Sequence, residues 1–178
     1  MKKVFLLGII CIVSVSFGWT LLEDLRNVKL VEYILSYEDK TYNVTFEVSR
    51  VDSQYEVKQS TSYMVDSDAP IEFYSLFEIN LGAYFLSILN PAYNYLLTAV
   101  DLTNQETTKI MGFGTLKYEG TEKVGKWTGT RVVLYDESGE KKIEWILNQN
   151  VPFALKVTVI EDQEDQIVAE LVNYIPAE

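Results

Sequence analysis

The sequence predicts an α+β fold in which short antiparallel strands dominate and a few short helices cover the sheet. Two sets of segments, one early and one late, alternate apolar and polar residues with the period of a half-buried strand. Their connections are short and rich in turn formers, which implies antiparallel neighbours. Between them residues 79–100 contain no charged side chain, a composition that suits buried helix.

Taken in order, residues 1–18 read as a secretory signal peptide. Lys2 and Lys3 form a positive start, residues 4–17 a short apolar run, and Ser16 and Gly18 the small pair read by a signal peptidase. The run is shorter than the roughly 20 apolar residues of a spanning helix, and no basic stop-transfer cluster follows. The expected mature chain is a single domain, residues 19–178, exported to the periplasm or another extracytoplasmic space with no stable membrane anchor. Cys11 is a poor lipidation site because Ile9 and Ile10 precede it and the apolar run continues beyond it. It is also the only cysteine, so the mature domain has no disulfide and depends on its core.

About 160 residues remain, enough to bury about 70% of the unfolded chain's surface. The net charge of −11 falls by two when Lys2 and Lys3 are removed. Such a surface repels phosphate backbones and anionic headgroups, which disfavours nucleic acid as a partner.

Residues 20–27 predict a short opening helix, with Thr20 as N-cap and Glu23 completing a capping box. Residues 28–37 read as the first strand. In residues 41–48, Tyr42, Val44, Phe46 and Val48 alternate with polar neighbours, and residues 55–65 continue that pattern after a hairpin break. Asn90 as N-cap and Pro91 as first helical residue split the charge-free segment into one helix ending near Leu89 and a second from Pro91 towards Leu102. Further strands are expected over residues 115–118, 127–135, 142–147, 151–160 and 166–174, about eight in all. Phe153, Leu155, Val157 and Val159 supply an apolar face, and Trp145 points to a similar interior.

The mature chain contains neither His nor Cys, which removes Ser-His-Asp and Cys-His catalysis, the usual zinc sites and redox dithiols. No catalytic residue, metal or cofactor is expected, and the protein is read as non-enzymatic. Glu72, Glu78 and Asp101 are the acids nearest the apolar segment for carboxylate-only chemistry, but turn or solvated carboxylates are the simpler reading. Asp66-Ser67-Asp68 and Asp162-Gln163-Glu164-Asp165 lack the glycine and the final acid of an EF-hand. Gly112-Phe113-Gly114 lacks the third glycine of a dinucleotide loop. Asn43-Val44-Thr45 matches a glycosylation sequon, relevant only in a eukaryotic secretory pathway.

The remaining signal is apolar. Phe73, Phe77, Tyr84, Phe85, Leu89, Tyr93, Tyr95 and Leu96 crowd the central segment. Ordinary core explains any one of them. Together, Phe73, Phe77, Tyr84, Phe85, Leu89, Tyr93 and Trp145 are the expected lining of a hydrophobic cavity between sheet and covering helices, sized for an acyl chain or another apolar ligand.

The stretch Tyr118-Glu119-Gly120-Thr121-Glu122-Lys123-Val124-Gly125-Lys126-Trp127, then Glu144-Trp145, then Val151-Pro152-Phe153-Ala154-Leu155-Lys156, resembles the carboxy-terminal half of bacterial LolA-like proteins. Those chains share a G-x-E-x-V-x-G-type hairpin, a strand ending near a tryptophan and an "lPlk" strand, here with one extra residue before the leucine. The motifs cover roughly the last third of the chain, and the layout of signal, opening helix, strands, helices and strands covers the rest. The resemblance implies a strongly curved antiparallel half-barrel whose concave face is plugged by short helices. It also implies a role in carrying or sensing lipids or lipoproteins, with a lipid, a lipoprotein or an envelope protein as partner. None of Arg26, Arg50 and Arg131 can be matched to the basic residue such carriers place near the cavity mouth. The alternative is a cell-envelope protein-protein interaction module whose core is filled.

Overall fold

The computed structural model describes residues 24–37, 40–65, 67–68, 96–161 and 164–177. Its framework is one sheet of nine antiparallel strands: β1 (Val28–Tyr37), β2 (Lys40–Val51), β3 (Gln54–Tyr63), β4 (Thr108–Ile110), β5 (Gly114–Val124), β6 (Trp127–Tyr135), β7 (Lys141–Asn148), β8 (Val151–Glu161) and β9 (Glu164–Pro176). Their spatial order is β3-β2-β1-β9-β8-β7-β6-β5-β4, an open sheet and not a closed barrel.

Local turn chemistry builds most of this. Val51 pairs with Gln54 across the two-residue loop Asp52-Ser53, and Val124 with Trp127 across Gly125-Lys126. Asp52 and Gly125 take φ values of 54° and 55°, as the twist-matched two-residue hairpin requires. Asn148 pairs with Val151 across Gln149-Asn150. At Glu137-Ser138-Gly139 the Asp136 carboxylate gathers the Ser138 and Glu140 amides at 2.9 and 3.0 Å, closing the β6–β7 turn.

Hairpins alone would leave two separate meanders, β1–β3 and β4–β9. They fuse because β1 also pairs antiparallel with β9, from Val28 opposite Pro176 to Tyr37 opposite Ile167. The fusion places β3 at one edge and β4 at the other. The chain between those two strands therefore leaves one edge and re-enters at the other, eight strand spacings apart, roughly 38 Å along the sheet at about 4.8 Å each.

The expected α+β half-barrel with helices plugging its concave face is overturned: no α-helix forms an element among the described residues, which are almost all β. Of the opening helix over residues 20–27, the described part is one 3-10 turn, Leu25–Asn27. Asp24 is its cap, accepting the Arg26 amide at 2.9 Å, and Val28 then enters the sheet. The helix ending near Leu89 lies outside the described residues, as do residues 91–95 of the second helix. Leu96 and Leu97 are helical, but the helix stops there and does not continue to Leu102. Ala99 and Val100 donate three residues back, to Leu96 and Leu97, and the Asp101 carboxylate then captures the Thr103 and Asn104 amides at 2.8 and 3.2 Å. A side-chain acceptor that competes for backbone donors turns the chain out of helix.

β5 is longer than expected. The expected strand covers residues 115–118, but Gly120 at φ 84° absorbs a register shift between Tyr118 and Thr121 and the strand runs on to Val124. β4 carries no sequence signal of its own, because three residues are too few to display a period.

Candidate functional site

Strand register sorts the side chains into two faces. On the first, Val31, Tyr33 and Leu35 of β1 lie opposite Phe46, Val44 and Tyr42 of β2. The same face continues through Leu171 and Ala169 of β9, Val157 of β8, Trp145 and Ile143 of β7, Val132 and Leu134 of β6, and Leu116 and Tyr118 of β5. Nearly all of these are buried, and together they form an apolar surface spanning seven strands. Branched and aromatic side chains at alternate positions pack well on a pleated surface.

The final part of the β3–β4 connection lies on this face. Leu96, Leu97, Val100 and Leu102 are buried in the same core cluster as the strand residues. A hydrogen bond anchors them, the Asp101 amide donating to the Tyr118 hydroxyl at 2.9 Å. Burial is the leading cause of the raised Tyr118 pKa, so the hydroxyl remains protonated at neutral pH. A fully buried hydroxyl ties the sheet across itself: Tyr33 on β1 reaches past β9 and donates to the Ala154 carbonyl on β8 at 2.6 Å. Ala154 precedes the start of β8–β9 pairing at Lys156, so the hydroxyl serves a carbonyl that this ladder does not use.

The second face carries charge over a smaller apolar patch. Arg131 on β6 pairs with Glu122 on β5 and lies 3.6 Å from Glu144 on β7. Lys156 on β8 lies 3.3 Å from Glu122 and 3.2 Å from Glu170 on β9. Acid and base thus alternate across five strands. Glu122 reaches Lys156 although β6 and β7 intervene, which requires the β5–β6 hairpin to bend over this face after its bulge. Beneath the charged groups, Val133 and Ile146 are fully buried, and glycine at position 129 leaves room for Ile146. Burial opposes the Lys156 ammonium, but its bonds to Glu170 and Glu122 outweigh that and raise its pKa. Beside this network Glu119 is held below the usual carboxylate range, first by its hydrogen bond from Lys141 and then by that from Tyr135.

Of the residues expected to line a cavity, Phe73, Phe77, Tyr84, Phe85, Leu89 and Tyr93 lie outside the described residues. Trp145 is described; it is 1% exposed, at the centre of the apolar face, between Val132 and Val157 on the flanking strands. Leu96, from the same crowded segment, is buried against that face. The carboxylate candidates Glu72 and Glu78 lie outside the described residues, and Asp101 caps a turn. Asp66 and residues 162–163 of the acidic loops are likewise outside, and Ser67 donates to Asp68 within a turn. Among the described residues no three His, Cys, Asp or Glu side chains are grouped to hold a metal ion, and no helix is long and apolar enough to cross a membrane. Arg26 pairs with Asp24, Arg50 donates to the Asp52 carbonyl at 3.2 Å, and Arg131 belongs to the charged face.

Sequence reasoning missed the alternating network and the two tyrosine anchors. The polar-out positions of the strands hold Glu122, Arg131, Glu144, Lys156 and Glu170 in visible alternation of sign, but only the strand order shows that they meet. A scan against protein-family models finds no match to this chain, and a search of curated proteins finds none either.

Proposed function

We propose that this is an exported binding protein that carries or senses an apolar or amphiphilic ligand, a lipid or the acyl chains of a lipoprotein, held against the apolar face of the sheet. The single observation that carries this reading is the breadth of that apolar face. Seven strands present apolar side chains, and residues 96–102 reach the face through a few leucines, Val100 and one hydrogen bond. The aromatic residues 73–93 belong to the same β3–β4 connection, which supplies further apolar side chains in the right part of the chain. The signal-like residues 1–18 and the resemblance of residues 118–156 to LolA-like proteins, whose members handle lipids and lipoproteins, support the same reading. The chemistry is binding without bond breaking.

Native mass spectrometry of the protein purified from its own host, followed by delipidation and titration with dansyl-undecanoic acid, tests the proposal. A co-purifying lipid mass and saturable probe binding to the stripped protein are expected. A bare mass together with no saturable binding would retire the carrier and leave the envelope interaction module in its place.

A further inference from the structure

The edge of the sheet at β3 carries an inference that does not rest on ligand binding. Among the described residues β3 pairs with β2 alone, and seven consecutive residues from Gln54 to Ser60 are exposed. An unpaired strand of this length offers a row of free amides and carbonyls to any second strand. Tyr55 and Val57, 49% and 58% exposed, lie on the apolar face beside it.

The hairpin register identifies which backbone groups are free. A two-residue loop makes Val51 and Gln54 a hydrogen-bonded pair, and antiparallel pairs alternate from there. Glu56 therefore bonds towards β2 opposite Ser49, whereas Tyr55, Val57 and Gln59 direct their amides and carbonyls to the open edge. A second strand can bond to β3 only where its own outward-facing residues meet these.

We propose that β3 is a self-association edge, on which two copies of this chain pair antiparallel about a two-fold axis through Val57. In this register Val57 faces Val57, Tyr55 faces Gln59, and Glu56 of each copy faces Lys58 of the other. Charge complementarity selects it. Glu56 and Lys58 lie 2.9 Å apart within one strand, both side chains largely exposed, so each copy presents an acid-base pair that its rotated image matches twice. In the two neighbouring registers with outward groups aligned, Glu56 falls on Glu56 or Lys58 on Lys58. Like charges directly opposite are unfavourable, and opposite charges favourable, in cross-strand pairs. The same two residues thus reject an arbitrary apolar strand and accept a second copy. A two-fold contact also closes on itself, consuming both edges and ending assembly at the dimer on that side.

The test is sedimentation equilibrium of the protein over a wide concentration range, comparing wild type with Glu56→Lys, Lys58→Glu and the double swap. Wild type should show a monomer–dimer equilibrium. Each single swap opposes like charges twice and should weaken association by about tenfold or more, while the double swap restores complementarity and should return to near the wild-type constant. Val57→Pro supplies a second arm: it removes an amide that faces the open edge and not β2, so the variant should fold, by circular dichroism, and remain monomeric. A wild type that stays monomeric up to millimolar concentration, a dimer indifferent to both single swaps, or a folded Val57→Pro variant that still dimerises would each overturn the proposal.

Discussion

Replacing Tyr33 by Phe removes one oxygen from the centre of the domain and leaves the ring in place. The residue is 2% exposed, and its hydroxyl donates to the Ala154 carbonyl at 2.6 Å. Because the ring remains, no large cavity opens, and the cost is that of a lost buried hydrogen bond with its acceptor left without that donor, about 1–3 kcal/mol. In a domain of this size that corresponds to a melting temperature lower by roughly 2–12 °C. Urea unfolding at neutral pH should show a lower midpoint with an unchanged slope, the mark of altered stability without altered compactness. A second readout isolates the hydroxyl. Burial holds its pKa well above the ordinary 10.0, whereas in the unfolded chain it titrates near that value. Its contribution is therefore complete below about pH 10 and is lost as pH rises from there through the folded value. The Phe variant has no such group, so the stability gap between the two proteins should narrow above pH 10. A loss below about 0.5 kcal/mol at neutral pH, with parallel alkaline curves, would refute the claim that Tyr33 ties β1 to β8.

Three further outcomes are expected. Leu97→Ala should cost about 2–5 kcal/mol in urea unfolding, since its side chain is buried where the β3–β4 connection meets the sheet; a cost under about 1 kcal/mol would show that this stretch does not pack there. Acid should destabilise the domain through Glu119, lowered from 4.5 by its bonds from Lys141 and Tyr135, and through Asp136, held at about 2 by its bonds from Ser138 and Glu140. Both have depressed folded values, so their contributions are present above about pH 4.5 and are lost as pH falls through the lowered values; Glu119→Gln should flatten the acid limb of a melting-temperature profile. Gly114→Ala should unpair the β4 edge, because a Cβ there would stand 1.9 Å from the Tyr135 carbonyl oxygen at a φ of 127°; faster amide exchange in β4 with β7 and β8 still protected is the expected signature.

Much of the sheet is legible in the residues because hairpins are local. Alternation marks Tyr42, Val44, Phe46 and Val48 as one face without reference to anything distant, and a two-residue loop such as Gly125-Lys126 sets the register of both its strands. The first strand and β6 fall on the residues expected for them, and Trp145 lies in the interior to which its alternation points. Helix is over-read beyond Leu97, because propensity describes a segment in isolation. Around residues 96–104 the Asp101 carboxylate and the Tyr118 hydroxyl take the backbone amides that a helix would have used.

Composition, a signal-like start, hairpin grammar and the lack of His and of any cysteine after Cys11 are properties of the chain read along its length, and the sequence determined them by itself. Which strands become neighbours at a distance is not such a property. An apolar face on β1 would pack equally well beside several partners, and only the folded domain decided on β9, more than a hundred residues away. That one pairing joins the two meanders, continues the apolar face of β5–β9 onto β1 and β2, and leaves β3 and β4 at opposite edges of the sheet. Period tells a side chain which way to point; it carries no record of what it will meet there.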